Sequence, residues 1–262
     1  MKISTPRSRS GIWLPIATLF AIFGTLVTNS LSNFFPPGGL SVAQIANTIL
    51  KGVLITPANY AFSIWGVIYI GLIAYSIYQF LPAQRRNPTL QRVNLLLIAA
   101  CIAQIAWIYL FTLRFFDLSI MAMLAILLPL IQAYLLLGIG RVRVKQSQKW
   151  LVHIPFSIYL AWISVATIVN VASALYIAQW QGWGISTAGW TVIMLIVATW
   201  IGAIAALQRS DLAFVLVYIW AFVAIAIRQS SILPIVITAV AGATAIAALG
   251  GFRLISRNSK SI

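Results

Sequence analysis

Glutamate is absent from this chain of 262 residues, and aspartate occurs only as Asp117 and Asp211. Histidine and cysteine appear once each, as His153 and Cys101. Two Asp, one His and one Cys, scattered along the chain, cannot supply a carboxylate dyad for acid–base chemistry or a cluster of metal ligands. The chain is therefore expected not to be an enzyme and to require no cofactor. A lone cysteine also rules out an intrachain disulfide. Cation-coupled transport usually sets a carboxylate inside the membrane. Both Asp residues fall at the ends of apolar runs, so an ordinary proton-coupled pump is not expected.

Apolar side chains dominate what remains. Hydrophobic residues make up 62% and charged residues 7% of the chain, with a mean hydropathy of +1.01. Soluble domains carry about 25% charged residues, so this composition describes an integral, multi-pass membrane protein whose first partner is lipid. A formal charge of +15 would suit a nucleic-acid binder in a soluble protein. Here the basic residues fall between apolar runs, and no nucleic-acid partner is expected.

Runs long enough to cross about 30 Å of hydrocarbon at about 1.5 Å per residue lie near residues 12–30, 60–82, 93–112, 118–140, 150–176, 188–207, 212–228 and 232–252. They predict an all-α helical bundle of eight transmembrane helices, here called the first to eighth spans. Short gaps between the last three make those spans antiparallel hairpins. If the chain alternates sides, fourteen of the 17 Lys and Arg fall on one side, from Lys2, Arg7 and Arg9 through Arg85, Arg86, Arg92 and the 141–149 gap to Arg209, Arg253, Arg257 and Lys260. Only Lys51, Arg114 and Arg228 fall on the other. The positive-inside rule then sets both termini in the cytoplasm, in a bacterial-type inner or internal membrane. A basic start before an apolar run also describes a signal peptide, but this run exceeds the usual h-region and ends in TNSLSN without a small-x-small site.

Residues 31–59 form the one extended connection, and such loops are usually functional. The stretch from Asn33 through Phe34, Phe35, Pro36 and Pro37 to Gly39 reads as irregular. From Ser41, a plausible N-cap, apolar residues recur at Val42, Ile45, Ala46, Ile49 and Leu50, with Gly52 as a stop. That pattern predicts a short helix on the outer membrane surface, either resting on headgroups or covering a site.

Three spans carry polar-aromatic faces. In the second, Phe62, Trp65, Tyr69 and Leu72 share one side at helical spacing. The third presents Ala100, Gln104, Trp107 and Phe111, and the fifth Tyr159, Trp162, Ala166, Asn170 and Ser173. Amides in lipid need partners, so Gln104 and Asn170 should face protein or ligand. Trp13, Trp150, Trp180, Trp183 and Trp190 fit an interfacial belt. Ala239, Ala243, Ala247 and Gly251 form a small-residue ridge on the eighth span, suited to internal packing or to a homodimer. His153, near the inner end of the fifth span, is remote from the aromatic faces.

These residues resemble the TspO, or translocator-protein, family of tryptophan-rich sensory proteins. Tyr159, Leu160, Ala161, Trp162, Ala166, Thr167 and Asn170 are similar to that family's fifth-helix pattern, Y-L-x-W-x3-A-T-x2-N. Pro57, Trp65 and Tyr69 match its second-helix spacing, and Trp107 and Phe111 the end of its third helix, with Gln104 where the family usually has Asn. The family's Trp shortly after the second-helix Pro is missing, and Asn59 and Tyr60 occupy that neighbourhood. The proline expected just before Tyr159 stands instead at Pro155. The resemblance covers residues 12–178. It implies a five-helix domain over 1–178, with residues 179–262 as a three-helix transmembrane extension.

It further implies a receptor or carrier that binds a flat hydrophobic ligand, such as a porphyrin or haem, in stress signalling or tetrapyrrole handling. The implied ligand-binding residues are Phe62, Trp65, Tyr69, Gln104, Trp107, Phe111, Tyr159, Trp162, Ala166 and Asn170. Lys51, Arg114 and Arg228 are candidates to pair with porphyrin carboxylates, or else snorkel at the membrane end. The other readings are a facilitative permease for a small neutral solute and a structural or assembly protein without a small ligand.

Overall fold

The computed structural model describes residues 11–258, with side chains as far as Arg253. Lys2, Arg7, Arg9 and Lys260, and the side chain of Arg257, lie outside the described residues. No strand occurs among the described residues. Seven helices among the described residues are long and apolar enough to cross a membrane. The eighth apolar helix, Leu212–Arg228, has 17 residues, about 25 Å of rise and the lower end of the spanning range.

The first five spans close into a ring. The first (Trp13–Phe34) packs on the third (Pro88–Thr112), the third on the fourth (Phe116–Leu136), and the fourth on the fifth (Ile154–Ile177). The fifth packs on the second (Ile64–Tyr78), which returns to the first. The sixth (Thr187–Ile204), seventh and eighth (Leu233–Asn258) form a second group in mutual contact, and the seventh docks on the fifth. Two buried polar contacts fasten that joint. Tyr218 and Ser164 hydroxyls meet at 2.7 Å. Asp211, 7% exposed, accepts from Tyr134 Oη at 2.8 Å and Ser157 Oγ at 2.7 Å while capping the seventh span through Phe214 N. Asp211 is thus at a span end but inside the protein.

Several boundaries differ from the sequence reading. The first span continues through Asn33 and Phe34, read as irregular, and stops only before Pro36 and Pro37, where the pre-proline geometry disfavours helix. The third begins at Pro88, because Asn87 Oδ1 accepts from the backbone of Thr89 at 2.9 Å and caps it. Arg92 therefore sits within a helix and not in a gap. On the eighth span, Ala239 and Ala243 are buried within the three-helix group, whereas Ala247 is exposed and Gly251 has open space around it.

The loop helix forms where expected, but it is shorter and is not laid on headgroups. Ser41 and Gln44 make a reciprocal capping box over Val42–Asn47. Ile49 and Leu50 follow in turns. Ile45, Leu50, Val53 and Ile55 are each at most 4% exposed and join the core. Gly38 shows how closely the segment is seated: a Cβ there would lie 1.9 Å from the carbonyl oxygen of Thr112. The segment is a plug set into one end of the ring, over the three polar-aromatic faces, and is called the lid below.

Candidate functional site

Beneath the lid lies a cavity of about 150 Å³, lined by Phe62 and Trp65, Gln104 and Trp107, Trp162 and Ala166, with Val42 and Ala43 of the lid above. A smaller space of about 50 Å³ adjoins it, sharing Val42, Phe62, Trp107, Trp162 and Ala166 and adding Phe111 and Asn170. Eight of the ten residues singled out from the sequence therefore line one connected region. Tyr69 and Tyr159 lie against it, where both hydroxyls meet the Gln104 amide.

Two amide-centred networks join the helices. Gln104 Nε2 donates to Tyr69 Oη at 3.0 Å, and its carbonyl accepts from Tyr159 Oη. Tyr69 Oη also accepts from Asn29 Nδ2 at 2.9 Å, which brings the first span into the network. The second network begins at the Trp107 indole, which donates to Asn170 Oδ1 at 2.9 Å; Asn170 Nδ2 donates to Ser119 Oγ at 3.0 Å. Gln104 and Asn170 are 1% and 2% exposed. These hydrogen bonds satisfy each within the protein, so the amides act as cross-helix ties.

Aromatic contacts complete the walls. Trp65 stacks on Tyr69, with ring centroids 5.7 Å apart, and meets Tyr159 edge-on at 6.2 Å. Phe62 and Trp162 form a perpendicular pair at 6.2 Å, and Trp107 lies against Phe111 at 5.1 Å. Trp162 is 3% exposed and is a core residue with one face on the cavity.

Sequence reasoning missed the contributions of the first and fourth spans. Asn29 and Asn33 line the cavity from the first, and Met123 and Ile126 from the fourth. Asn29 and Asn33 were findable, since two amides four residues apart share a helix face near the end of an apolar run. Met123 and Ile126 were not, because an apolar residue in a spanning helix has the same composition whether it faces lipid or protein.

None of the three cations lines the cavity. Lys51 and Arg114 are exposed, and Arg228 is committed elsewhere. Its guanidinium donates to Ala46 O at 2.8 Å, Asn47 Oδ1 at 2.9 Å and Pro57 O at 3.3 Å, so it neither snorkels nor faces the cavity but holds the lid. Gln229 Nε2 adds a bond to Leu54 O at 2.8 Å, and Ala58 N donates to Ala224 O at 3.0 Å. Asn59 and Tyr60, at the family's missing Trp, serve the same joint: Asn59 Oδ1 accepts from Asn47 Nδ2, and Tyr60 meets Trp220 edge-on at 4.9 Å. The seventh span thus clamps the lid from the side.

A search of curated proteins and one of solved structures returned no match. The family model described as TSPO-like protein matches residues 15–252, from the first span into the eighth. That match covers most of the chain, extends beyond the five spans that carry the sequence motifs, and agrees with an all-helical membrane bundle. The chain therefore belongs to the TSPO-like protein family.

Proposed function

We propose that this protein is a multi-pass membrane receptor of the TspO type that encloses a flat apolar ligand between the lid and the aromatic faces of the second, third and fifth spans. The observation that carries the reading is the convergence of Trp65, Trp107 and Trp162 on one cavity capped by Val42 and Ala43. Flat π faces around an apolar space favour a planar ring as occupant. Binding and not catalysis is the role this lining supports, because the Trp107 indole and the Gln104 and Asn170 amides are already hydrogen-bonded within the protein.

Size decides which ligand each state of the lid admits. A cavity of about 150 Å³ holds a single aromatic ring such as benzene, whereas sites for drug-sized ligands run from about 300 to 1,000 Å³. Porphyrin or haem does not fit the closed cavity, even with the adjoining 50 Å³. Binding of such a ligand, and the stress-signalling or tetrapyrrole-handling role that goes with it, belongs to a form with the lid displaced. The positive-inside count supports an orientation with both termini cytoplasmic and the lid facing outward.

Fluorescence titration of the purified protein tests this. Indole-sized ligands and protoporphyrin should each quench Trp emission saturably, the porphyrin more slowly because the lid must move. Trp162→Ala should weaken both by roughly tenfold, the value of one lost stacking surface at about 1.4 kcal/mol. Affinities left unchanged by Trp65→Ala, Trp107→Ala and Trp162→Ala would remove the site.

A further inference from the structure

A space larger than the cavity under the lid lies elsewhere among the described residues. A groove of about 930 Å³ opens on the flank of the bundle, between the second, fifth and seventh spans, and runs to the 139–146 connection at the basic end. Ile64, Val67, Ile158, Leu216, Val217 and Trp220 make its apolar walls. Val67 and Leu216 are 52% and 62% exposed, so the groove faces the hydrocarbon and not an aqueous vestibule. Along the fifth span it extends from Lys149 to Ile158, and along the seventh from Asp211 to Trp220. Each stretch is nine residues of rise, about 14 Å, which is half the thickness of a hydrocarbon core of about 30 Å.

Charge marks one end. Arg143 and Lys149, both exposed, line the mouth beside Gln146 and Trp150. Asp211 lines the same end, but Tyr134, Ser157 and the Phe214 amide already donate to its carboxylate. His153 lies in the wall just below, 6% exposed, and its Nε2 has no hydrogen-bond partner. Fifth-span geometry helps to shape this end, because Lys149–His153 is a π-helical turn, a distortion frequent at functional sites.

We infer that the groove is a binding site for one anionic phospholipid, with its phosphate between Arg143 and Lys149 and an acyl chain along the apolar walls to Trp220. Three independent features agree on that occupant: depth equal to one leaflet, walls that match an acyl chain, and cations confined to the headgroup level. The inference does not depend on the lid-side pocket, which is built on other faces of the second and fifth spans.

Native mass spectrometry of the full chain in detergent reads the site, with phosphatidylglycerol and phosphatidylcholine of identical acyl chains as probes. One phosphatidylglycerol should be retained at least tenfold more tightly than phosphatidylcholine. The double variant Arg143→Gln/Lys149→Gln should lose roughly thirtyfold in phosphatidylglycerol affinity, at about 1 kcal/mol per surface cation. Ala213→Trp, which fills the groove from its half-exposed wall, should abolish retention with the cations intact. Glycerol phosphate should bind at least a hundredfold more weakly than the lipid. Protoporphyrin affinity, taken from the midpoint of Trp quenching, should be the same in all these proteins, which separates failure here from failure of the lid pocket. Equal retention of the two lipids overturns the inference. So does a phosphatidylglycerol preference that survives either variant, or glycerol phosphate that binds as tightly as the lipid.

Discussion

At the residue scale, the few polar side chains inside the bundle decide how the helices meet. Asp211 ties together the fourth, fifth and seventh spans through Tyr134, Ser157 and its own N-cap bond. Asp211→Ala is expected to destabilise by about 2 kcal/mol, since two buried hydroxyls lose their acceptor and the helix loses its cap. Asp211→Asn keeps one oxygen to cap Phe214 N and sets an amide N–H donor before the Tyr134 and Ser157 hydroxyls, which must turn to accept, so its cost should fall below that of Asp211→Ala. Thermal melts in detergent would check the order, at roughly 2–4 °C per kcal/mol for a chain of this size. Gln104→Leu is a milder change. Tyr69 keeps Asn29 as a partner, and hydrogen bonds between spanning helices average about 0.6 kcal/mol, so a loss near 1 kcal/mol with the fold retained is the expected result.

At the element scale, the seventh span is what holds the lid in its seat. The helix Val42–Asn47 has six residues, too few to be stable by itself. Its position depends on seating among core residues and on the fork of bonds from Arg228. Arg228→Ala should speed porphyrin association by about tenfold or more in stopped-flow quenching, while the equilibrium fold survives. Arg228→Lys should behave nearly as the Ala variant, because an ammonium does not reproduce a planar fork holding three separated acceptors. Gly38→Ala acts at the other end of the segment: its methyl would collide with the Thr112 backbone. Faster proteolysis within residues 35–58 of that variant would report the unseated lid, and unchanged protection would show that the contact is dispensable.

At the scale of the whole molecule, two helical groups share one membrane, and the second explains why the lid of the first stays down. The ring of five spans provides the cavity. Within the second group, the seventh span and its C-cap provide Arg228, Gln229 and Trp220, which bond to the backbone of residues 46–61. Topology is directly testable. In a Cys101→Ser background, single cysteines replacing Gln146 and Trp183 should react with a membrane-impermeant maleimide from opposite sides of sealed vesicles. Labelling of both from one side would break the eight-span arrangement.

Composition and charge placement were enough to establish the membrane class and the all-helical bundle, because a helix interior to lipid expels charge whatever its neighbours are. Ser41 was legible as a helix cap, since a cap is a local hydrogen bond. Trp65, Gln104, Trp107, Trp162 and Asn170 were legible as faces, because aromatic and amide residues stand out against an aliphatic background. Folding alone decided which faces meet and at what distance, and that the space between them is too small for a porphyrin with the lid closed. Met123 and Ile126 carry no sign of facing inward, for protein interior and lipid are equally apolar solvents for them. Arg228 carried none either: a cation at a span end reads as snorkelling until the carbonyls it holds, some 170 to 180 residues earlier in the chain, are brought beside it.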